Sequence, residues 1–308
     1  MATSPVMDLL TRALVDDAAI FPPGLSPVPD AVAQHLAWRR SPLGERLGPL
    51  LLSTDVIASL PGVLDELGGR GPGAGEVLPV GIAARPGTSL DEVDEAVATL
   101  RELGDAVRRE TIELGAQPGW QAAARHGVDV ALELPRDPAD QVEHLDALEA
   151  RHADTRHVVA KWRTQASPAG PIPTPDELAA FITTCVGRSL PFKLTGGLHH
   201  AVARTAPAQS GEGTEEMHGA LNVAHATHLA LCGAPASEVA AALAERDERT
   251  VAAAVSGLEE GEARALRAAW VSFGCCGVTD PLGEVAELGL LDPADLALHP
   301  APDSEESR

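Results

Sequence analysis

The sequence predicts one closed (β/α)8 barrel, and three observations predict it. Eight short apolar runs recur along the 308 residues, each followed by a stretch of helical character. Those stretches carry apolar residues at a spacing near 3.6, so they present one face to a core. No run leads into a G-x-G-x-x-G or P-loop sequence, which would point to an open doubly wound sheet. Alternating strands and helices in this number favour closure into a barrel. A chain of this length buries roughly 75% of its unfolded surface, enough for one large core.

Taken in order, the expected strands are Ala18–Phe21, Pro49–Ser53, Leu78–Ala83 and Thr111–Leu114, then Val128–Leu134, His157–Arg163, Leu190–Thr195 and Val271–Gly274. Pro79 stands near the start of the third, where a missing N–H is tolerated. The helix over Asp91–Arg109 is read from Val93, Val97, Leu100 and Leu103, and that over Asp137–Arg151 from Val142, Leu145 and Leu148. Thr174-Pro175-Asp176-Glu177 caps a helix over Asp176–Cys185, with proline in its first turn. Another helix, Ser237–Arg246, follows a Gly-Ala-Pro stop. The expected organisation is a single TIM-like barrel over residues 1–300, with a frayed tail at 301–308. Gly68–Gly75 reads as a flexible connector. The aperiodic stretch at about 201–217 reads as a flexible insert or lid.

Composition narrows the functional classes. With 45 Asp and Glu against 23 Lys and Arg, the formal charge of −22 argues against nucleic-acid and anionic-membrane partners. Aromatic residues make up 3%, too few for a base-stacking platform. Neither a secretory leader nor a run of 18 apolar residues is evident, and the four cysteines show no CxxC spacing. A reduced, cytoplasmic protein is expected, with a small anionic metabolite as partner and self-association into a homo-oligomer left open. Of the 23 basic residues only Lys161 and Lys193 are lysines.

Strand alternation places both lysines. In Thr111-Ile112-Glu113-Leu114 the apolar residues pack outward, leaving Glu113 inward. In the fifth strand the same rule turns Asp129, Ala131 and Glu133 to the axis. In Val158-Val159-Ala160-Lys161-Trp162-Arg163 it turns Lys161 and Arg163 inward, and in Phe192-Lys193-Leu194-Thr195 it selects Lys193 and Thr195. Two carboxylates and two lysines on four successive strands converge in one lumen. A purely structural salt-bridge network is the competing reading, although burying charges costs several kcal/mol per ion unless each is well paired. Lysine can lose its proton and attack a carbonyl, whereas guanidinium stays charged and serves to hold anions. Mutual repulsion between the lysines would depress the pKa of one. Arg163 and Arg85 are candidates for an anionic substrate group.

Strand seven runs into Gly196-Gly197-Leu198-His199-His200, whose amides could cradle an anion and whose His199 could serve as acid or base. Read as helical, His218-Gly219-Ala220-Leu221-Asn222 puts His218 and Asn222 on one face near the pocket. Glu113, Glu133, His199 and His218 form an alternative divalent-metal set; otherwise no cofactor is called for. Cys275 and Cys276 at the end of strand eight offer a thiol, while Asp55 after strand two reads equally as a cap.

The strand-six lysine followed by Lys193-Leu194-Thr195-Gly196-Gly197 resembles the class I aldolase barrels of the deoxyribose-phosphate aldolase type. That resemblance implies a Schiff base on Lys161, tuned by Lys193. It departs where Trp162-Arg163-Thr164 stands in place of the family's small-residue, threonine and glycine-rich stretch, and also in that Glu133 does not securely place the family's carboxylate support. Over most of its length the chain resembles an uncharacterised, mainly actinobacterial family. The shared elements are Lys161, Arg163 and Thr164; Phe192–His200; His218–Asn222; and Ser272–Cys276. The expected function is therefore an aldolase-like lyase acting on a small anionic carbonyl compound. Lys161, Lys193, Glu133, Glu113 and His199 would be catalytic, and Arg163, Thr195, Gly196, Gly197, His218, Asn222 and Arg85 would bind substrate. A metal-dependent hydrolase or isomerase is one alternative, and a non-catalytic small-molecule-binding barrel is another.

Overall fold

The computed structural model describes residues 2–68, 72–73, 76–155, 157–168, 170–208 and 213–297. Eight parallel strands close into a barrel: β1 (Val15–Asp17), β2 (Leu47–Leu52), β3 (Leu78–Ala83), β4 (Val107–Gly115), β5 (Asp129–Glu133), β6 (Val158–Arg163), β7 (Phe192–Thr195) and the last barrel strand, β10 (Trp270–Cys275). Each pairs with its neighbours in chain order, and β1 meets β10 through Val15↔Phe273 and Asp16↔Gly274. The (β/α)8 reading holds.

Helices cover the outside: α1 (Pro5–Thr11), α2 (Val28–Arg39), α3 (Thr54–Leu67), α4 (Leu90–Glu102), α5 (Pro138–Thr155) and α6 (Pro175–Gly187). Capping boxes start α4 (Ser89 with Glu92) and α6 (Thr174 with Glu177), satisfying N–H groups that have no partner inside the helix. A short 3-10 segment, Trp120–His126, stands where a helix would link β4 to β5. The outward side chains of β6 and β7 pack on α6. Trp162 stacks on Phe181 at 5.1 Å, and Phe181 meets Phe192 edge-on at 5.6 Å. This apolar outer layer commits the alternate residues, Lys161 and Lys193, to the lumen.

Two expectations are corrected. The first strand is Val15–Asp17, not Ala18–Phe21. Residues 18–21 instead turn, with Phe21 N–H donating to Ala18 O and Ala19 N–H to Asp17 Oδ1. An acidic strand leaves no apolar signature, and it is buried here because both carboxylates are matched. Asp17 lies against His35 of α2 at 2.9 Å, and Asp16 faces the lumen. The helix expected to run through Arg109 ends at Glu102, and β4 takes up Arg108 and Arg109.

The stretch read as a flexible insert at about 201–217 forms, in its described parts, an antiparallel pair: β8 (Arg204–Pro207) with β9 (Thr214–Met217). Arg246 holds Glu216, and Arg204 reaches Glu284 at 3.1 Å. Residues 209–212, part of the Gly68–Gly75 connector and the 301–308 tail lie outside the described residues. After the hairpin come α7 (Ala220–Leu231), α8 (Ala236–Ala244), α9 (Glu248–Ser256) and α10 (Glu260–Ala269), with α11 (Thr279–Glu287) following β10. No described helix is long and apolar enough to cross a membrane.

Candidate active site

Register brings the charged residues side by side. Glu133 is opposite Lys161, Lys161 opposite Lys193, and Lys193 opposite Ser272, across β5, β6, β7 and β10. Neighbouring strands run roughly 4.8 Å apart, so the two ammonium groups alone would repel. Glu113 of β4 separates them. Its Oε2 lies 2.8 Å from Lys161 Nζ, and its Oε1 accepts from Lys193 Nζ. Asp16 accepts from the other side of Lys193 at 2.6 Å and from Ser272 Oγ at 2.8 Å. Glu133 completes the far end, 2.9 Å from Lys161 and clamped by Arg163 Nε at 2.8 Å. Arg163, Glu133, Lys161, Glu113, Lys193 and Asp16 thus alternate in sign through the lumen.

That alternation sets the protonation states. Burial pushes the Glu113 carboxyl up, but Lys161 and Lys193 outweigh it and hold it at about 2. Burial acts on Glu133 in the same way, and Lys161 with Arg163 brings it to about 2. Burial opposes the charge on Lys193, yet Asp16 and Glu113 raise its pKa above the ordinary lysine value. For Asp16 burial wins: its pKa is raised despite Lys193, and Glu113 adds to the rise. The mutual depression expected of neighbouring lysines is therefore not what Lys193 experiences, because a carboxylate stands on each side of it.

An open cleft of about 1100 Å³ lies at the C-terminal ends of the strands. Lys161, Glu113 and Glu133 form its floor, with Arg163, Thr195 and Gly196 around them and Arg85 and His199 on its walls. Lys193 does not reach it. Instead Lys193 and Asp16 border a second cavity at the opposite end of the barrel. The two lysines, equivalent in sequence, thus open on different faces. Arg163 keeps 31% of its side chain exposed and Arg85 56%, the latter 3.7 Å from Asp55.

The remaining sequence candidates divide. His199 contacts Asp280 at 3.3 Å, Cys275 Sγ at 3.6 Å and Cys276 Sγ at 3.5 Å. Burial raises the pKa of both cysteines, favouring the thiol over the thiolate a nucleophile needs. His200 turns away to Glu284 at 2.8 Å. His218 precedes α7 and does not lie in it; buried, it meets Pro173 O at 2.8 Å beside a different cavity. Asn222 is a structural clamp: its amide donates to Ala242 O and Glu245 O, each at 2.8 Å, and its oxygen accepts from Ala203 N–H. Neither His218 nor Asn222 joins the cleft. Among the described residues no three His, Cys, Asp or Glu side chains are arranged to hold a metal ion, so the set Glu113, Glu133, His199 and His218 does not assemble.

The glycine pair is explained by the loop itself. Gly196 and Gly197 have φ of +72° and +80°, and a Cβ on Gly197 would come 2.8 Å from Thr164 O. The Gly196 N–H is already donated to Gly274 O at 3.1 Å, so it is not free for a substrate anion. No family model matches the chain, and no curated protein matches it either.

Proposed function

We propose that the barrel is an aldolase-like lyase that binds a small carbonyl compound bearing a carboxylate or phosphate and forms a Schiff base on Lys161. One observation carries the reading: Lys161 is the lysine on the floor of the cleft, between two carboxylates, while Lys193 is held behind Glu113 as a fixed cation. An amine in that setting attacks a carbonyl carbon, the carbinolamine loses water, and the resulting iminium takes up the electron pair of the Cα–Cβ bond, which breaks as the β-hydroxyl gives up its proton, releasing a carbonyl fragment and leaving an enamine on Lys161. The barrel is an architecture that enzymes use, with chemistry at the C-terminal face.

Arg163 supplies both recognition and timing. Its guanidinium is shared with Glu133 and partly exposed to the cleft. A substrate anion that takes Arg163 weakens its hold on Glu133, whose proton affinity then rises from about 2. Glu133, 2.9 Å from Lys161 Nζ, becomes the acceptor for the ammonium proton as substrate arrives. His199 on the cleft wall is the second proton-transfer group, directed by Asp280. Lys193 acts through Glu113, keeping that carboxylate ionised.

Borohydride trapping tests this. The chain is incubated with pyruvate, glyoxylate, dihydroxyacetone phosphate and glyceraldehyde 3-phosphate, reduced, and mapped by peptide mass. With two lysines in the chain, assignment is unambiguous. A secondary-amine adduct is expected on Lys161, lost in Lys161→Met. An adduct confined to Lys193, or none with any of the four probes, overturns the assignment.

A further inference from the structure

Barrel lumens are ordinarily filled by layers of bulky branched side chains. Here the N-terminal half is built differently. Gly48, Thr111, Ala131 and Ser272 stand where large residues would meet. Below the lysines is a cavity of about 310 Å³. Its rim carries the exposed residues Ala13, Arg108 and Asp129, so it opens on the face opposite the substrate cleft. Its inner end is bordered by Lys193, Asp16 and Ser272, all buried. A space of this size takes on the order of ten waters at about 30 Å³ each. Lys193, Asp16 and Ser272 supply the polar partners that such waters need.

We propose that this cavity is a hydrated port through which the lysine network exchanges protons with solvent on the N-terminal face. The chain of contacts is continuous. Water in the port meets Asp16; Asp16 bonds Lys193 at 2.6 Å; Lys193 donates to Glu113; Glu113 pairs with Lys161 at 2.8 Å. To reprotonate a Lys161 amine, hydronium in the port gives a proton to the Asp16 carboxylate, Asp16 passes it to Lys193 as Lys193 gives one to Glu113, and Glu113 gives one to Lys161 in the same concerted shift, so Lys193 is not left neutral and Glu113 is not left protonated. One proton moves from solvent to Lys161, and every intermediate group returns to its starting state. Gly48 belongs to the device, since a Cβ there would overlap Asp16 Oδ1. A substrate that seals the upper cleft therefore leaves the network open to protons from below.

The purpose of the port rests on the Schiff-base reading, but its test does not. Full-length chain labelled with 15N at lysine Nζ gives two side-chain signals, and their proton exchange with water is measured with no carbonyl compound present. Filling the port with Ala131→Leu or Val159→Phe is expected to slow exchange at Lys193 at least tenfold while leaving Lys161 within twofold. Equal rates at Lys193 in folded plug variants overturn the port. In the unaltered chain, the Thr111 and Ala131 methyl groups are expected to show cross-relaxation with water. Its absence overturns the port even if no plug variant folds. Failed borohydride trapping with normal exchange would sink the lyase reading and leave the port standing.

Discussion

Replacing Glu113 by Gln removes one charge while nearly preserving shape, and the structure supplies the expected size of the effect. Glu113 is 1% exposed and bridges both lysines. Its carboxyl is held at about 2 against an ordinary 4.5, a shift that corresponds to about 3 kcal/mol at 1.36 kcal/mol per unit. The folded value is depressed, so this stabilisation is present above pH 4.5 and is lost as pH falls toward 2. Glutamine cannot ionise and carries none of it. The gap between Glu113→Gln and the unaltered chain is therefore expected to be about 3 kcal/mol at pH 7 and to narrow steadily below pH 4.5. Asp16 recovers a little of the loss, because Glu113 is one of the causes raising its pKa. Urea unfolding followed by tryptophan fluorescence at several pH values between 7 and 3 measures the gap. Adding Lys161→Met should restore part of the stability at pH 7, since Lys193 keeps Asp16 and Glu133 keeps Arg163. A gap that stays constant with pH, or one below about 1 kcal/mol at pH 7, would refute the claim that Glu113 holds the lumen by charge.

Two further outcomes follow from steric contacts. Gly48→Ala is expected to displace the Asp16 carboxylate from Lys193, costing about 1–3 kcal/mol and lowering the thermal midpoint by several degrees; an unchanged midpoint in calorimetry would contradict it. Gly197→Ala is expected to cost at least 1 kcal/mol or so, because the residue needs a left-handed backbone and the clashing partner is the rigid carbonyl of Thr164. A variant as stable as the parent in urea would show that the turn relaxes.

The barrel and five of its lumenal charges were legible because strands β4 to β7 pair each charged residue with an apolar neighbour facing the helices. Trp162 and Phe192 on Phe181 leave Lys161 and Lys193 one orientation. Asp16 was not legible. Its strand is three residues long and carries two aspartates, and the lysine that makes its burial tolerable lies 177 positions away. The hairpin β8–β9 was hidden for the opposite reason: its strands do alternate inward and exposed positions, but the inward ones include Arg204 and Glu215 beside Ala206 and Met217, so hydrophobicity imprints no period on it. His218 looked like the first residue of a helix that in fact starts at Ala220. The glycine turn looked like an anion cradle because the carbonyl of Gly274, which occupies the Gly196 amide, comes from the far end of the chain.

The alternation of sign along the lumen also determines which covalent states of Lys161 the barrel can tolerate. An ammonium and a protonated imine carry the same charge. Conversion of one into the other leaves Glu113 and Glu133 facing an equal cation, and the rest of the row has no electrostatic reason to rearrange. Acylation is different. An amide at the same nitrogen would leave three carboxylates, Glu133, Glu113 and Asp16, facing two cations, Arg163 and Lys193, a deficit of one positive charge among buried groups. The interior is thus isoelectric across imine formation and strongly biased against neutral capping, so it sorts electrophiles by the charge they leave behind.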